Sequence, residues 1–248
     1  MTKKFKDYYD DAYVRMLAEK LSAATPDFRE EAFLRALTGQ LDDLAFSGRI
    51  DRIALALDES LPGAYAEKLA VFAAILGEPL ATEAGMFTEG WWLWPIARHV
   101  EHHATEDFAA SVAFIHELTR RHTGEFAVRP LLKAKPEAMM QVMLTWSRDV
   151  DAHVRRLASE GVRIRLPWAK RLTVALERFE EFCALLTNLK DDPSRFVQKS
   201  VGNNLNDLFK EAPDKAAAIV RDWEAKPCSK ATQWIIRHGS RSLKSKAS

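Results

Sequence analysis

One phrase recurs three times in the second half of this chain: VRRLASEG from Val154, VQKSVGNN from Val197 and IIRHGSRS from Ile235. The intervals are 43 and 38 residues, close to the roughly 40 to 47 residues of paired-helix solenoids. A unit of that length cannot bury its apolar stripe alone, so the recurrence confines the chain to stacked helical pairs, each covering its neighbour. Weaker copies appear earlier, as IDRIALAL from Ile50 and VRPLLKA from Val128.

Helical periodicity dominates elsewhere too. DYYDDAYVRMLAEKLSAA, DFREEAFLRALTGQLDDL, GRIDRIALALDESL, AYAEKLAVFAAILG and EDFAASVAFIHELTRRH each repeat apolar residues at i, i+3, i+4 and i+7, and alternating strand patterns are nearly absent. Breaks such as Thr25-Pro26-Asp27, Leu61-Pro62-Gly63, Asp192-Pro193-Ser194 and Pro213-Asp214 punctuate helices joined by short turns. The expected fold is all-α, a HEAT-like helical-repeat solenoid forming a single domain over residues 1–248. The recurrent phrases are its inner helices, lining a concave groove.

The third position of the phrase is a cation each time: Arg156, Lys199 and Arg237. The seventh is Glu160, Asn203 and Arg241, about 40° around the helix and one turn on, so both positions face the groove. Net charge is only +1, but its distribution is uneven. Residues 1–120 hold 12 Lys and Arg against 20 Asp and Glu, whereas residues 151–248 hold 19 against 12. An acidic N-terminal part (1–120) and a basic part (121–248) predict a positively charged groove that meets an anionic partner.

Two carboxylates, Glu160 and Asp207, fall on this basic face, Asp207 at position 11 of the second phrase. Each repels a phosphate backbone, so each needs a reason. Glu160 can pair with Arg156 one turn back and Asp207 with Lys210 or a neighbouring helix. Alternatively the two face a positive charge in a substrate or one developing on a sugar during cleavage. Between the helices, VRIRLPW from Val162 joins two arginines to Trp168, which suits phosphate contact and stacking or, equally, closure of a repeat core. The other tryptophans have core spacing, with Trp91, Trp92 and Trp94 the least certain of that role. Gly202 and Gly239 read as residues that loosen helices preferring alanine.

Other chemistry is poorly supported. Cys183 and Cys228 make no disulfide framework and point to a reducing cytoplasm. His99, His102 and His103 lack the companions of a metal motif, and no phosphate-binding glycine loop or nucleophile elbow occurs. No metal, no cofactor and no membrane association are expected, and a monomer suffices.

The runs EFAVRPLL from Glu125, DAHVRRLASEGVRIRLPWA from Asp151, DDPSRFVQKSVGNNLNDLFKEAPD from Asp191 and QWIIRHGSRSL from Gln233 together resemble the AlkC branch of the HEAT-like repeat DNA alkylation repair glycosylases. The resemblance spans roughly residues 90–245, and RLASEGxRxRLPW and SVxNxLND are its specific parts. It implies excision of cationic N3-alkylated bases, 3-methyladenine first and 3-methylcytosine second, from double-stranded DNA in base excision repair. Such a base is already a good leaving group. On the same resemblance Glu160 and Asp207 match the acidic pair that stabilises the sugar and directs water. Arg156, Arg163, Arg165, Lys199 and Arg237 match phosphate-holding positions, with Arg241 beside them. Trp168 matches the tryptophan near the lesion, and Asn203 and Asn204 match backbone or water contacts. An immunoglobulin-like domain carried by some members is not expected here. The alternative is a non-catalytic HEAT-repeat scaffold binding nucleic acid or an acidic protein.

Overall fold

The computed structural model describes residues 4–244, and among these every regular element is helical, without strands. The all-α expectation therefore holds. The chain divides into two compact units, the first ending at Pro130 and the second beginning at Leu131.

The first unit contains α1 (Asp11–Ala24), α2 (Glu30–Leu37), α3 (Phe46–Ser60), α4 (Tyr65–Ile75), α5 (Trp94–His103) and α6 (Phe108–Thr119). Helix α7 (Val128–Ala134) carries the chain onward. Asp10 and Asp107 cap α1 and α6 by accepting from Tyr13 N and Ala110 N, satisfying first-turn donors that would otherwise be orphaned. The sequence predicts α2 to run on towards Leu44. It stops at Leu37 because Gly39 adopts a left-handed φ of 69° and turns the chain. Helix α3 packs on α2 and α5, and α4 on α1 and α6. Trp94 is buried against Phe46 and Phe5, a core role, and the Trp91 and Trp92 carbonyls accept from the buried Tyr9 and Tyr13 hydroxyls at 2.6 and 2.8 Å.

The second unit contains α8 (Pro136–Trp146), α9 (Ala152–Glu160), α10 (Val174–Glu177), α11 (Phe179–Leu189), α12 (Arg195–Glu211), α13 (Pro213–Glu224), α14 (Lys230–Gly239) and α15 (Arg241–Lys244). The three phrases lie on α9, α12 and α14, and α12 packs directly against both of the others. Each of these helices starts on a side-chain cap: Asp151 to His153 N, Ser194 to Val197 N and Ser229 to Thr232 N. Helices α8, α11 and α13 supply the other members of the pairs. The recurrent phrase is thus a recurrent layer.

Gly202 and Gly239 do not loosen their helices; they let α12 and α14 approach closely. A Cβ on Gly239 would stand 2.7 Å from Leu205 Cβ and 3.3 Å from the Gly202 carbonyl oxygen, and one on Gly202 would stand 2.8 Å from His238 Cδ2. Neither helix has room for a methyl group. Alanine in a helix ordinarily stabilises by up to about 1 kcal/mol over glycine, but overpacking costs about 1–3 kcal/mol. Urea denaturation of Gly239→Ala should therefore show a net loss of stability; a gain would mean that the contact is not tight.

Candidate acidic site on the repeat helices

Glu160 ends α9 and Asp207 lies in the fourth turn of α12, and the two are 5% and 4% exposed. Two buried carboxylates require a cation, and Arg163 supplies it. Its Nη1 donates to Glu160 Oε1 at 2.8 Å and its Nε to Asp207 Oδ2 at 3.1 Å, with Nη2 3.4 Å from Asp207 Oδ1. The fork of the guanidinium lets one side chain serve both carboxylates. Arg163 was expected to hold phosphate; it is instead buried between the acids, held there by their charge.

The carboxylates differ in what else they accept. Glu160 Oε2 takes a 2.6 Å hydrogen bond from Ser200 Oγ, and Oε1 lies 3.6 Å from an Arg156 nitrogen. Both of its oxygens are engaged. Asp207 Oδ2 takes the Arg165 backbone N–H at 3.2 Å besides Arg163 Nε, which leaves Oδ1 with only the long Arg163 contact. Asp207 therefore keeps one lightly engaged oxygen, and Glu160 does not. Burial alone would raise the Glu160 pKa, but the Arg156 and Arg163 charges and the hydrogen bonds from Ser200 and Arg163 outweigh it and hold the carboxyl below its ordinary range.

Behind Glu160 lies a buried polar layer. Ser159 Oγ donates to Ser200 Oγ at 2.7 Å, and Asn204 Nδ2 donates to the Ser159 and Ser200 carbonyls at 2.8 and 3.1 Å. Asn204 was expected to touch DNA or water; it is buried and ties α9 to α12. At the other end of the same helix pair, Arg155 donates to Asp192 at 2.7 Å. Sequence reasoning missed Ser159 and Ser200, although Ser200, Asn204 and Asp207 form a polar stripe at helical core spacing. It also passed over Glu125, a buried carboxylate that accepts from Thr123 Oγ1 at 3.0 Å.

The remaining candidates lie on the surface around this core. Lys199 and Arg237 are exposed and have no partnering carboxylate among the described residues. Arg165 is exposed but reaches Glu211 at 2.6 Å, a carboxylate it shares with Arg171. Arg241, expected as position 7 of the α14 phrase, lies beyond the end of that helix, and its Nη2 donates to Asn203 Oδ1 at 2.9 Å. His238 approaches the same oxygen at 3.2 Å and stacks on Trp234, which Arg195 covers. Arg156 lies over the Phe196 ring. Trp168 is 86% exposed and has a left-handed φ of 62°. Closure of a repeat core is therefore not its role, and the backbone cost has no burial to offset it.

In the first unit α5 brings His99 and His103 to Asp58, with one ligand atom of each within 4.8 Å of the others. Lys68 Nζ already donates to Asp58 Oδ1 at 2.5 Å, so the carboxylate holds a cation. Burial pushes His99 down to about 4, which leaves it neutral near pH 7. No helix among the described residues is long and apolar enough to cross a membrane.

This helical-repeat layer, with its buried acid–arginine–acid bridge, lies within residues 122–243, which match the model of the DNA alkylation repair enzyme family. Over 241 residues the chain is 32% identical to the uncharacterized protein YhaZ of Bacillus subtilis, covering 96% of this chain and 64% of that one. The fold is similar to that of the alkylpurine DNA glycosylase AlkC of Pseudomonas fluorescens bound to DNA containing an abasic site analogue. The TM-score is 0.85 and the identity 30%, over 98% of this chain and 65% of that one. The chain thus spans about two-thirds of the length of both relatives.

Two outcomes follow from this geometry. A carboxyl held below its unfolded pKa of about 4.3 stabilises the fold fully above that value and loses the contribution as pH falls through its folded value. Acid unfolding should therefore begin at higher pH in Glu160→Gln than in the parent, from a lower starting stability; identical acid profiles would contradict the bridge. For Trp168→Gly, relief of a left-handed backbone is worth about 1–2 kcal/mol against the added freedom of the unfolded chain. Thermal melts should show unchanged or slightly raised stability, whereas a core tryptophan would lose about 3–5 kcal/mol.

Proposed function

We propose that this protein is a DNA N-glycosylase that removes cationic N3-alkylated bases, 3-methyladenine above all, from double-stranded DNA. The observation that carries the proposal is Asp207. It is a carboxylate paired with Arg163, with one oxygen still lightly engaged, on a repeat face whose Lys199 and Arg237 have no carboxylate partner among the described residues. The likeness to AlkC agrees with it.

N3 alkylation leaves the base positively charged, so breakage of its bond to the sugar needs no proton from the protein. Positive charge grows on the sugar as the base departs with the bonding pair. A carboxylate already fixed in place stabilises that sugar with no reorganisation, and its lightly engaged oxygen directs a water to C1′ and takes up the proton. Asp207 Oδ1 has that role. Lys199, Arg237 and Arg156 grip phosphates along the positively charged groove, Arg241 and Asn203 act together beside them, and Trp168 offers an exposed ring for stacking at the lesion. The protein works as a monomer in the cytosol without a cofactor.

Incubation with methylated duplex DNA should release 3-methyladenine and leave abasic sites. Asp207→Asn should lower single-turnover release by about 100- to 1,000-fold, the usual scale for a lost electrostatic stabiliser, with DNA affinity within about twofold. Lys199→Ala or Arg237→Ala should instead weaken binding and flatten the dependence of log K on log salt by about one unit. Tight, salt-sensitive binding without base release would replace this function with that of a nucleic-acid scaffold.

A further inference from the structure

We propose that Glu160 is a positioning residue and not a second reacting carboxylate: with Ser159 and Ser200 it fixes Arg163, and Arg163 sets the orientation of Asp207. The proposal rests on the glycosylase reading of Asp207 and assigns the rest of that site.

Hydrogen-bond direction runs one way through the chain of groups. The Ser159 hydroxyl donates to Ser200 Oγ, the Ser200 hydroxyl donates to Glu160 Oε2, and Glu160 Oε1 accepts from Arg163 Nη1. Asn204 holds the Ser159 and Ser200 backbones together, so the hydroxyls have fixed origins on two helices. The plane of the guanidinium is then set by Glu160 on one side, and its Nε and Nη2 edge faces Asp207 on the other. Each Glu160 oxygen accepts a short hydrogen bond, whereas Asp207 Oδ1 has only a 3.4 Å contact, so of the two buried carboxylates Asp207 is the one with an oxygen to spare. The Glu160 charge divides the attraction of Arg163 between two acids.

Other groups face Asp207 as well. The Arg165 backbone N–H donates to Oδ2, and Arg241 from α15 adds a positive field felt by both Asp207 and Arg163. Glu211, one turn further along α12, is neutralised by Arg165 and Arg171. Removal of the Glu160 charge therefore leaves Arg163 held by Asp207 alone, and removal of Arg163 leaves the two carboxylates facing one another without a cation.

The test is single-turnover base release, with thermal melts and affinity for abasic-site DNA alongside. Glu160→Gln should slow release about tenfold at its plateau, with affinity within about twofold, and Arg163→Met should slow it further. Ser200→Ala, which deletes the hydrogen bond to Glu160 and the one from Ser159, should slow release about threefold, again with affinity unchanged. The proposal is overturned if Glu160→Gln is as inactive as Asp207→Asn, because Glu160 would then be reacting itself. It is equally overturned if Glu160→Gln and Ser200→Ala both keep the parent rate. An active Asp207→Asn would instead overturn the assignment of Asp207, a separate result.

Discussion

Everything at this site depends on one buried cation. Arg163 allows an acid at the end of α9 and an acid in the fourth turn of α12 to lie out of water together. Without it, each carboxylate would pay for desolvation against the repulsion of the other, and loss of one partner from such a bridge typically costs about 3–5 kcal/mol. The bridge also fixes geometry. Because its ends are on different helices, it sets how α9 meets α12 at one end of the pair, while Arg155 and Asp192 do so at the other.

The helix layer provides the frame for that bridge. Glycine at Gly202 and Gly239 brings α14 close to α12, so that Arg241, beyond the end of α14, reaches Asn203 on α12. Charges on the exposed side of the layer can then act on a ligand, while the charges inside it act on one another. Lys199 and Arg237 belong to the first kind, Arg163 and Glu160 to the second. That division separates outward-facing charges from buried ones along a single stretch of sequence.

Much of the frame was legible from spacing alone. Apolar periodicity marked the helices, and the recurrence of a cation at the third place of each phrase put Arg156, Lys199 and Arg237 on adjacent helices. The interior of the site was not legible, because the same residue type reads alike in and out of water. Arg163 in VRIRLPW looks like any phosphate-binding arginine until α12 places Asp207 beside it. Asn204 looks like a surface amide until it is found buried beneath Ser159. A sign was nevertheless present: Ser200, Asn204 and Asp207 occupy the i, i+4, i+7 spacing that apolar residues normally take, and a polar stripe at core spacing marks a buried network. Trp168 was the reverse case, since no spacing announces that a tryptophan will be exposed on a left-handed backbone.

A structure of the protein bound to duplex DNA with an abasic-site analogue tests the central claim most directly. Asp207 Oδ1 should lie within hydrogen-bonding reach of a water or hydroxyl at the sugar C1′ position, with Glu160 still held by Arg163 and Ser200. A complex in which Glu160 has left Arg163 to face the sugar, or in which the abasic site lies away from Asp207, would contradict it.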